Sequence, residues 1–300
     1  MFYLKGQNHK GDFFKGEAMK KIGLLLEGGG MKGIFTAGVL DYFLEKELEF
    51  GAIIGVSAGA IQACSFLSKQ KYRSRDIILT YVNDKRYYSW NSWRKTGDLF
   101  NVKFAYYEIP DKLNPFDHKT FKKSKTKLLI CATDVVKGKP KYFHVKNFDN
   151  GEIEILRASA SLPLVANNVK IRGKEYLDGG MSDSLPLKKL EAEGYEKNVV
   201  ILTKAPGYKK RKSKLYLLAK LKYKKHPKLV ERIKNRYKDY NEALEYVMTQ
   251  EKANKAFIIA PSKNHVSRLE KNIAKLELAY QDGYETAKRI YPDLIKFMGS

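Results

Sequence analysis

Apolar positions in the N-terminal part of the chain alternate between short continuous runs and stretches with a helical period. Residues 22–26 form an apolar run that glycines close, and residues 31–47 then place apolar side chains at helical spacing. Residues 52–56 and 58–67 repeat this order, a β-branched run followed by a helical pattern. A change of apolar period from continuous to helical predicts a strand, a turn and a helix. We therefore expect two consecutive strand–turn–helix units.

Further short apolar runs at residues 128–133 and 199–203 are typical of buried parallel strands. Residues 139–145 and 169–177 instead alternate apolar and polar positions, which favours antiparallel hairpins. Together these elements predict an α/β protein, a three-layer α/β/α sandwich with a mostly parallel central sheet. In such sheets ligands bind at the carboxyl ends of the strands, so both glycine-rich turns should lie on the functional edge.

Charge is concentrated in one segment of this 300-residue chain, whose formal net charge is +24. Residues 209–238 hold 14 lysines and arginines against a single acid, Glu231. Within them, Leu215, Leu218 and Leu221 alternate with lysines at helical spacing, which predicts an amphipathic helix with a basic polar face. We place the main domain at residues 19–206, a basic and mainly helical extension packed on it at 207–300, and a disordered leader at 1–18.

Several classes of protein are disfavoured by composition. The two cysteines, Cys64 and Cys131, lie in apolar runs, which argues against a disulfide framework and fits a reducing compartment. Residues 53–67 are too few to cross a membrane, and residues 1–21 lack the apolar core of a signal peptide. We expect a cytoplasmic location. The basic segment 209–238 fits either peripheral contact with the anionic inner face of the membrane or a solvated helical face.

The first glycine turn contains Gly28-x-Gly30-x-x-Gly33 between a predicted strand and a predicted helix. This spacing matches a dinucleotide-binding turn, but no acidic residue ends the next strand to hold a ribose. Backbone N–H groups in such a turn also converge on other anions, including the oxyanion of a tetrahedral intermediate. In a third interpretation, the turn is only a tight connection between the strand and the helix and binds no ligand.

The second turn, Gly55-Val56-Ser57-Ala58-Gly59, matches the Gly-x-Ser-x-Gly pattern that presents a nucleophilic serine at a strand end. Such a serine needs a base. None of the five histidines, at positions 9, 118, 144, 226 and 265, lies in a recognisable catalytic motif. Asp178, followed by Gly179 and Gly180, is the alternative base, although Asp-Gly is also a common turn dipeptide.

Four blocks of the sequence, residues 27–33, 55–59, 158–163 and 178–180, resemble in order and spacing the four blocks of the patatin-like phospholipase family. The chain resembles a bacterial member of that family. The resemblance covers about residues 20–206. It implies a Ser–Asp dyad with Ser57 as nucleophile and Asp178 as base. It also implies an oxyanion hole, a set of supporting positions, and a supporting loop at residues 158–163 to which we assign no catalytic step. The backbone of Gly28, Gly29, Gly30 and Met31 forms that hole, and the supporting positions are Lys32, Gly33, Gly55, Gly59, Gly179 and Gly180. We expect Gly29 to need a positive φ angle.

These observations favour a serine acyl hydrolase that cleaves fatty-acyl esters of phospholipids or related lipids through an acyl-enzyme. The alternatives are a nucleotide-binding α/β protein that uses Gly28 to Gly33 and a non-enzymatic polyanion-binding protein. We expect no cofactor, no metal and no specific nucleic acid partner. Aromatic residues between positions 81 and 107 fit either an acyl-binding lid or an ordinary packed subdomain. They are Tyr81, Tyr87, Tyr88, Trp90, Trp93, Phe100, Phe104, Tyr106 and Tyr107.

Overall fold

A central sheet of eight strands organises residues 21–300, which the computed structural model of the protein describes. Its strands are β1 (Ile22–Leu26), β2 (Ala52–Val56), β3 (Lys127–Asp134), β4 (Pro140–Val145), β5 (Val169–Ile171), β6 (Lys174–Asp178), β7 (Lys197–Ile201) and β8 (Ala256–Ile259). Strands β3, β2, β1, β7 and β8 are parallel neighbours in that order. β4 and β6 both run antiparallel to β3, and β5 forms an antiparallel hairpin with β6.

Helices connect and cover these strands. They are α1 (Ile34–Glu45), α2 (Ala58–Leu67), α3 (Arg73–Tyr81), α4 (Trp90–Thr96), α5 (His118–Lys123), α6 (Ile153–Ala160), α7 (Leu187–Ala192), α8 (Tyr216–Lys222), α9 (Pro227–Lys252) and α10 (Ile273–Gly299). A π-helical segment spans Phe104–Leu113, and a 3-10 turn at Gly30–Gly33 leads into α1.

Side chains of the central strands alternate between two apolar layers. Leu24 and Leu26 of β1 face the layer that contains Phe35 and Phe43 of α1. Leu25 faces the opposite layer, which includes Tyr240 of α9 and residues of α7. Because both faces of the sheet are covered by helices, the predicted three-layer α/β/α fold with a mostly parallel sheet is confirmed.

The sequence pattern locates several of these elements closely. β2 and α2 have the predicted bounds, and the hairpin between β5 and β6 turns at Arg172 and Gly173, both with positive φ. β8, an edge strand from the C-terminal region, was not predicted. The proposed leader at 1–18 lies outside the described residues. From residue 21 to 300, no helix is long and apolar enough to cross a membrane.

Candidate active site

Ser57 occupies the sharp turn between β2 and α2. Its φ of 55° and ψ of −122° are unusual for a residue with a side chain and point to backbone strain. The turn also needs glycine on both sides. A Cβ at position 55 would lie 2.5 Å from Ala60 Cα, and one at position 59 would lie 2.2 Å from the Leu26 carbonyl oxygen. The Gly-x-Ser-x-Gly pattern therefore forms a sharp strand-to-helix turn, which we call the elbow.

Strand β3 brings Asp178 next to this elbow. Val56, at the end of β2, pairs with Cys131 of β3. Asp178, at the end of β6, pairs with the next residue, Ala132. β4 pairs with Cys131 and with Ala132 from the opposite edge of β3. β2 and β6 therefore share one edge, and Asp178 takes the position directly after the strand that leads into Ser57.

The Asp178 carboxylate is buried, with 2% of the residue exposed. Its Oδ1 accepts a hydrogen bond of 2.8 Å from the Gly180 N–H. Its Oδ2 is buried without a hydrogen-bond partner among the described residues, Ser57 Oγ included. A buried carboxylate oxygen without a partner is costly, and such groups commonly mark functional positions. Oδ2 thus remains available as a hydrogen-bond acceptor.

Residues 158–163 hold the backbone of Ser57 and of Asp178 in place. Ser159, which is fully buried on α6, accepts a 2.9 Å hydrogen bond from the Ser57 N–H and donates one of 2.6 Å to the Cys131 carbonyl. The Ser161 carbonyl accepts from the Asp178 N–H at 2.8 Å. The end of α6 therefore fixes the backbone of Ser57 and of Asp178, which gives a structural form to the supporting role that the resemblance implies for this block.

The first glycine turn lies directly against the elbow. A Cβ at position 28 would lie 2.9 Å from Ser57 Cβ. Among residues 21–300, the N–H groups of Gly28, Gly29 and Gly30 have no protein acceptor. The Met31 N–H, in contrast, donates to the Arg268 carbonyl at 3.0 Å. The expectation that Met31 donates to an oxyanion is therefore not supported by this geometry.

Positive φ falls one residue later than expected. Gly30 has a φ of 59°, whereas Gly29 has an extended φ of −176°. The expectation for Gly29 was wrong, although a Cβ there would still lie 2.7 Å from Thr203 Oγ1.

A buried ion pair holds the base of the glycine turn. Glu27 contacts the Lys204 ammonium group and accepts hydrogen bonds from the Thr203 N–H and hydroxyl. Burial alone raises the pKa of Glu27, but the charge of Lys204 and these hydrogen bonds outweigh it and lower the pKa. Lys204 Nζ and Thr203 Oγ1 also donate to the Gly28 carbonyl, at 3.2 and 3.0 Å. The charged pair thus orients the turn that faces Ser57.

The remaining supporting positions have separate roles. Gly33 lets the 3-10 turn approach α2, since a Cβ there would lie 3.0 Å from Ala58 Cβ. Gly179 packs against β3, where a Cβ would lie 2.2 Å from the Cys131 carbonyl oxygen. Lys32 Nζ donates to Asn264 Oδ1 at 3.1 Å.

An apolar cavity of about 370 Å³ opens beside Ser57, a volume within the usual range for ligand pockets. Ile61, Ile78 and Ile109 contribute to its wall. Four of the nine aromatic residues considered above also line it: Tyr87, Phe100, Tyr106 and Tyr107. The other five lie elsewhere in the same region.

Histidines contribute little to this site. His118 is exposed on the cavity wall, where its ring packs edge-on against Phe116 at 5.0 Å. His265 contacts Asp282 at 3.1 Å. A smaller pocket contains both Ser57 and Asp178, and no histidine among the described residues lines it. Nor do residues 21–300 hold a group of three or more histidine, cysteine, aspartate or glutamate side chains placed to bind a metal ion.

Four cations that sequence reasoning missed border that smaller pocket: Lys204, Lys210, Arg236 and Arg268. Three of them follow residue 207, in the C-terminal region. Their distance from Ser57 in the chain left no local signal that could have linked them to the site.

Comparison with known proteins gives two family matches. Residues 24–190 match the patatin-like phospholipase family, and residues 226–299 match a domain of unknown function (DUF6363). The first match spans β1 to α7 and so includes Ser57 and Asp178.

Curated relatives resemble the N-terminal part of the chain. YjjU of Escherichia coli is 30% identical over 188 residues, which are 61% of this chain and 52% of YjjU. A probable lipid hydrolase, 463L of Invertebrate iridescent virus 6, is 29% identical over 55% of this chain and 61% of its own length. The lysophospholipase NTE1 of Saccharomyces cerevisiae is 27% identical over 64% of this chain and 12% of its own length. The chain thus spans about half the length of YjjU and a small part of NTE1.

Among solved structures, VipD from Legionella pneumophila is similar with a TM-score of 0.46 and 11% sequence identity, over 91% of this chain and 67% of VipD.

Proposed function

The chain belongs to the patatin-like phospholipase family, and from this premise we propose that it is a serine acyl hydrolase that cleaves fatty-acyl esters of phospholipids or related lipids. The observation that carries the proposal is the elbow at Ser57 with a buried, unpartnered carboxylate oxygen of Asp178 beside it. The adjoining cavity supports a fatty-acyl substrate, since its lining beside Ser57 is mostly apolar.

In the proposed reaction, Asp178 Oδ2 takes the hydroxyl proton of Ser57 as Oγ attacks the ester carbonyl. The N–H groups of Gly28, Gly29 and Gly30 donate to the oxyanion that forms. Asp178 then returns the proton to the departing alcohol, which leaves an acyl group on Ser57. Water then loses a proton to Asp178 and attacks the acyl carbonyl, the bond between Ser57 Oγ and the acyl group breaks, and Asp178 returns the proton to Oγ as the fatty acid leaves. In the free enzyme catalytic hydrogen bonds are often long, which fits the missing Ser57–Asp178 bond.

A fluorophosphonate, which reacts covalently with activated serines, tests the nucleophile. We expect labelling of the wild-type protein and none of Ser57→Ala. Ser57→Ala and Asp178→Asn should each lower kcat/KM on a fatty-acyl ester by about a thousandfold or more, because the pair acts as a unit. Circular dichroism checks that both variants remain folded.

The matched control is His118→Ala, which changes the histidine on the cavity wall and should lose far less activity. A loss equal to that of Ser57→Ala in folded protein would identify a histidine base and contradict the dyad. Calorimetry with NAD, FAD and ATP should show no binding. A micromolar dissociation constant for one of them would instead favour nucleotide binding by the first glycine turn, and an unlabelled wild-type protein would favour the polyanion-binding alternative.

We also propose peripheral contact with an anionic membrane through what we call the apolar rim, which is formed by exposed side chains of α4, of α8 and of Leu215, the residue before α8. These are Trp90, Trp93, Leu215, Leu217, Leu218 and Leu221, of which Trp90 is 60% and Leu221 is 74% exposed. Exposed lysines at 220, 224 and 225 flank the leucines. A helix with an apolar face and flanking lysines is typical of segments that lie in a membrane interface.

The apolar rim adjoins the cavity. Trp93 Nε1 donates to the Leu164 carbonyl at 3.1 Å, and Lys222 Nζ donates to the Ala166 carbonyl at 3.3 Å. Val165 and Ala166 line the apolar cavity. A bilayer that met the apolar rim would therefore lie close to the wall of the cavity that we assign to the acyl chain.

A further inference from the structure

The cations beside Ser57 outnumber their acidic partners. Lys204 is paired with Glu27, as described above. Among the described residues, no carboxylate lies within salt-bridge distance of Lys210, Arg236 or Arg268. All three are half-buried and line the pocket that contains Ser57 and Asp178. Charges withdrawn from water are costly unless an opposite charge compensates them.

Protein contacts account for only part of the donor capacity of this cluster. Arg236 Nε donates to the Gly180 carbonyl, while its two Nη groups have no acceptor among residues 21–300. The Lys210 ammonium group lies 4.4 Å from the centre of the Tyr240 ring and donates no hydrogen bond to the described protein. The Arg268 side chain packs against Gly30, since a Cβ at position 30 would lie 2.9 Å from Arg268 Cγ.

Burial and neighbouring cations disfavour the charged forms of Lys210 and Arg236. Burial, together with the charges of Arg236, Lys204 and Arg268, lowers the pKa of Lys210 to about 6. Burial and the charge of Arg268 lower the pKa of Arg236 to about 10. An anion between these groups would relieve both effects.

We propose that Lys210, Arg236 and Arg268 bind the phosphate of a lipid headgroup while the ester of the same lipid lies at Ser57. Guanidinium groups match the geometry of phosphate, and the ester and phosphate of a glycerophospholipid are joined through one glycerol unit. Arg268 lines both the small pocket and the apolar cavity, so acyl chain, ester and phosphate can lie in one continuous path.

This assignment rests on the proposed hydrolase function and narrows its substrate to phosphate-bearing lipids. A neutral acylglycerol would leave the three cations without a counterion, and a site built for a polar group discriminates against a ligand that lacks it. All three residues lie beyond the segment matched to the patatin-like family. The C-terminal region would thus determine the headgroup specificity, while the segment matched to the patatin-like family would supply the catalytic residues.

The test compares lysophosphatidylglycerol with a monoacylglycerol of the same acyl chain, both in micelles of one neutral detergent. We expect kcat/KM to favour the phosphodiester by about ten- to a hundredfold, the range for charge-assisted hydrogen bonds. Lys210→Met and Arg268→Met should each reduce this preference by about tenfold, mainly through KM. The exposed neighbours Lys209→Met and Lys263→Met are the matched controls and should keep it.

Binding to the Ser57→Ala protein separates this inference from the proposed reaction. Calorimetry should show that glycerophosphoglycerol binds, and binds more weakly to Ser57→Ala/Lys210→Met. Such binding without hydrolysis of any lipid ester would uphold the subsite and refute the hydrolase. Hydrolysis without a phosphate preference, unchanged in Lys210→Met and Arg268→Met, would refute the subsite and leave the hydrolase standing. Inorganic phosphate that bound as tightly as glycerophosphoglycerol would overturn the assignment to a lipid headgroup.

Discussion

Ser57 adopts a backbone conformation that places this buried residue on the wall of the pocket and does not stabilise the chain. A non-glycine residue with a positive φ in this region costs about 1–3 kcal/mol, and here φ is 55°. The surrounding contacts maintain it, since Ser159 Oγ accepts from the Ser57 N–H and Gly55 and Gly59 allow close packing. Strain at this residue is thus part of the elbow.

Replacing Ser57 with glycine should release this strain. We expect Ser57→Gly to raise the free energy of unfolding by about 0.5–2 kcal/mol while it abolishes ester hydrolysis, because glycine adopts positive φ readily but gains entropy in the unfolded chain. Ser57→Ala keeps the Cβ and is the control, equally inactive but not stabilised. Urea unfolding of the three proteins measures the difference. Equal stability of the Ala and Gly variants would show that the conformation is not strained.

Local pattern identified the residues of the elbow and of the Asp178 turn, because tight strand-to-helix turns impose glycine at fixed spacing. It did not reveal which backbone donors are free. The Met31 N–H is taken by the Arg268 carbonyl, a contact that depends on how the C-terminal region folds back. Long-range contacts of this kind leave no trace in the spacing of a motif.

At the scale of elements, the contact between α1 and α10 contains a buried carboxylate. Asp41 of α1 accepts hydrogen bonds from the Tyr280 hydroxyl of α10 at 2.9 Å and from the Tyr72 N–H at 3.1 Å. Burial outweighs these bonds and raises the Asp41 pKa from 3.8 to about 6. Because the pKa is higher in the folded state, the ionised carboxylate destabilises the fold above pH 6, and this penalty disappears as pH falls towards about 4.

Asp41→Asn should therefore stabilise the protein at neutral pH. Its amide keeps a hydrogen bond to each partner without the buried charge, so we expect a gain of about 1–3 kcal/mol at pH 7.5 that vanishes near pH 4. The free energy of unfolding in urea, measured at both pH values, tests this. Glu285→Gln removes an exposed charge from α10, the helix that packs on α1, and should change little. A gain independent of pH would rule out ionisation of Asp41 as the cause.

Elements with a clear apolar period were predictable, and those that depend on tertiary context were not. β1, β2 and α2 follow directly from the sequence because glycines close the apolar run of β1 soon after Glu27, and small residues separate β2 from α2. β8 has only four residues, Ala256–Ile259, and so short an apolar run does not distinguish a strand from part of a helix. Its place in the sheet is decided by pairing with β7.

At the scale of the whole molecule, the basic segment 209–238 divides into two surfaces. Lys210 and Arg236 face the pocket of Ser57, whereas Lys220, Lys224 and Lys225 are exposed beside the leucines of α8. Counting charges along the sequence could locate the segment. It could not tell which cations face the pocket and which face solvent, because side-chain orientation depends on how α8 and α9 pack. The net charge of +24 therefore has more than one structural role.

Binding to anionic vesicles tests the role of the apolar rim. Burying a leucine contributes about 1.5–3 kcal/mol, and a lysine near an anionic leaflet about 1 kcal/mol. Leu218→Ser/Leu221→Ser should therefore lower co-sedimentation with phosphatidylglycerol vesicles by tenfold or more. Lys220→Gln/Lys224→Gln/Lys225→Gln should lower it less and make it less sensitive to salt, because the Debye length at physiological ionic strength is about 8 Å.

Exposed apolar residues outside the rim provide the control for this experiment. Met248 and Leu278 are 49% and 59% exposed, on α9 and α10, and Met248→Ser/Leu278→Ser removes a similar apolar area. If the rim docks on the bilayer, this variant co-sediments as the wild type does, and only the α8 variants stay in the supernatant. Equal losses in both would indicate non-specific adsorption. Full binding of the α8 variants would instead assign those lysines and leucines to a solvated face, which leaves the chemistry at Ser57 unaffected.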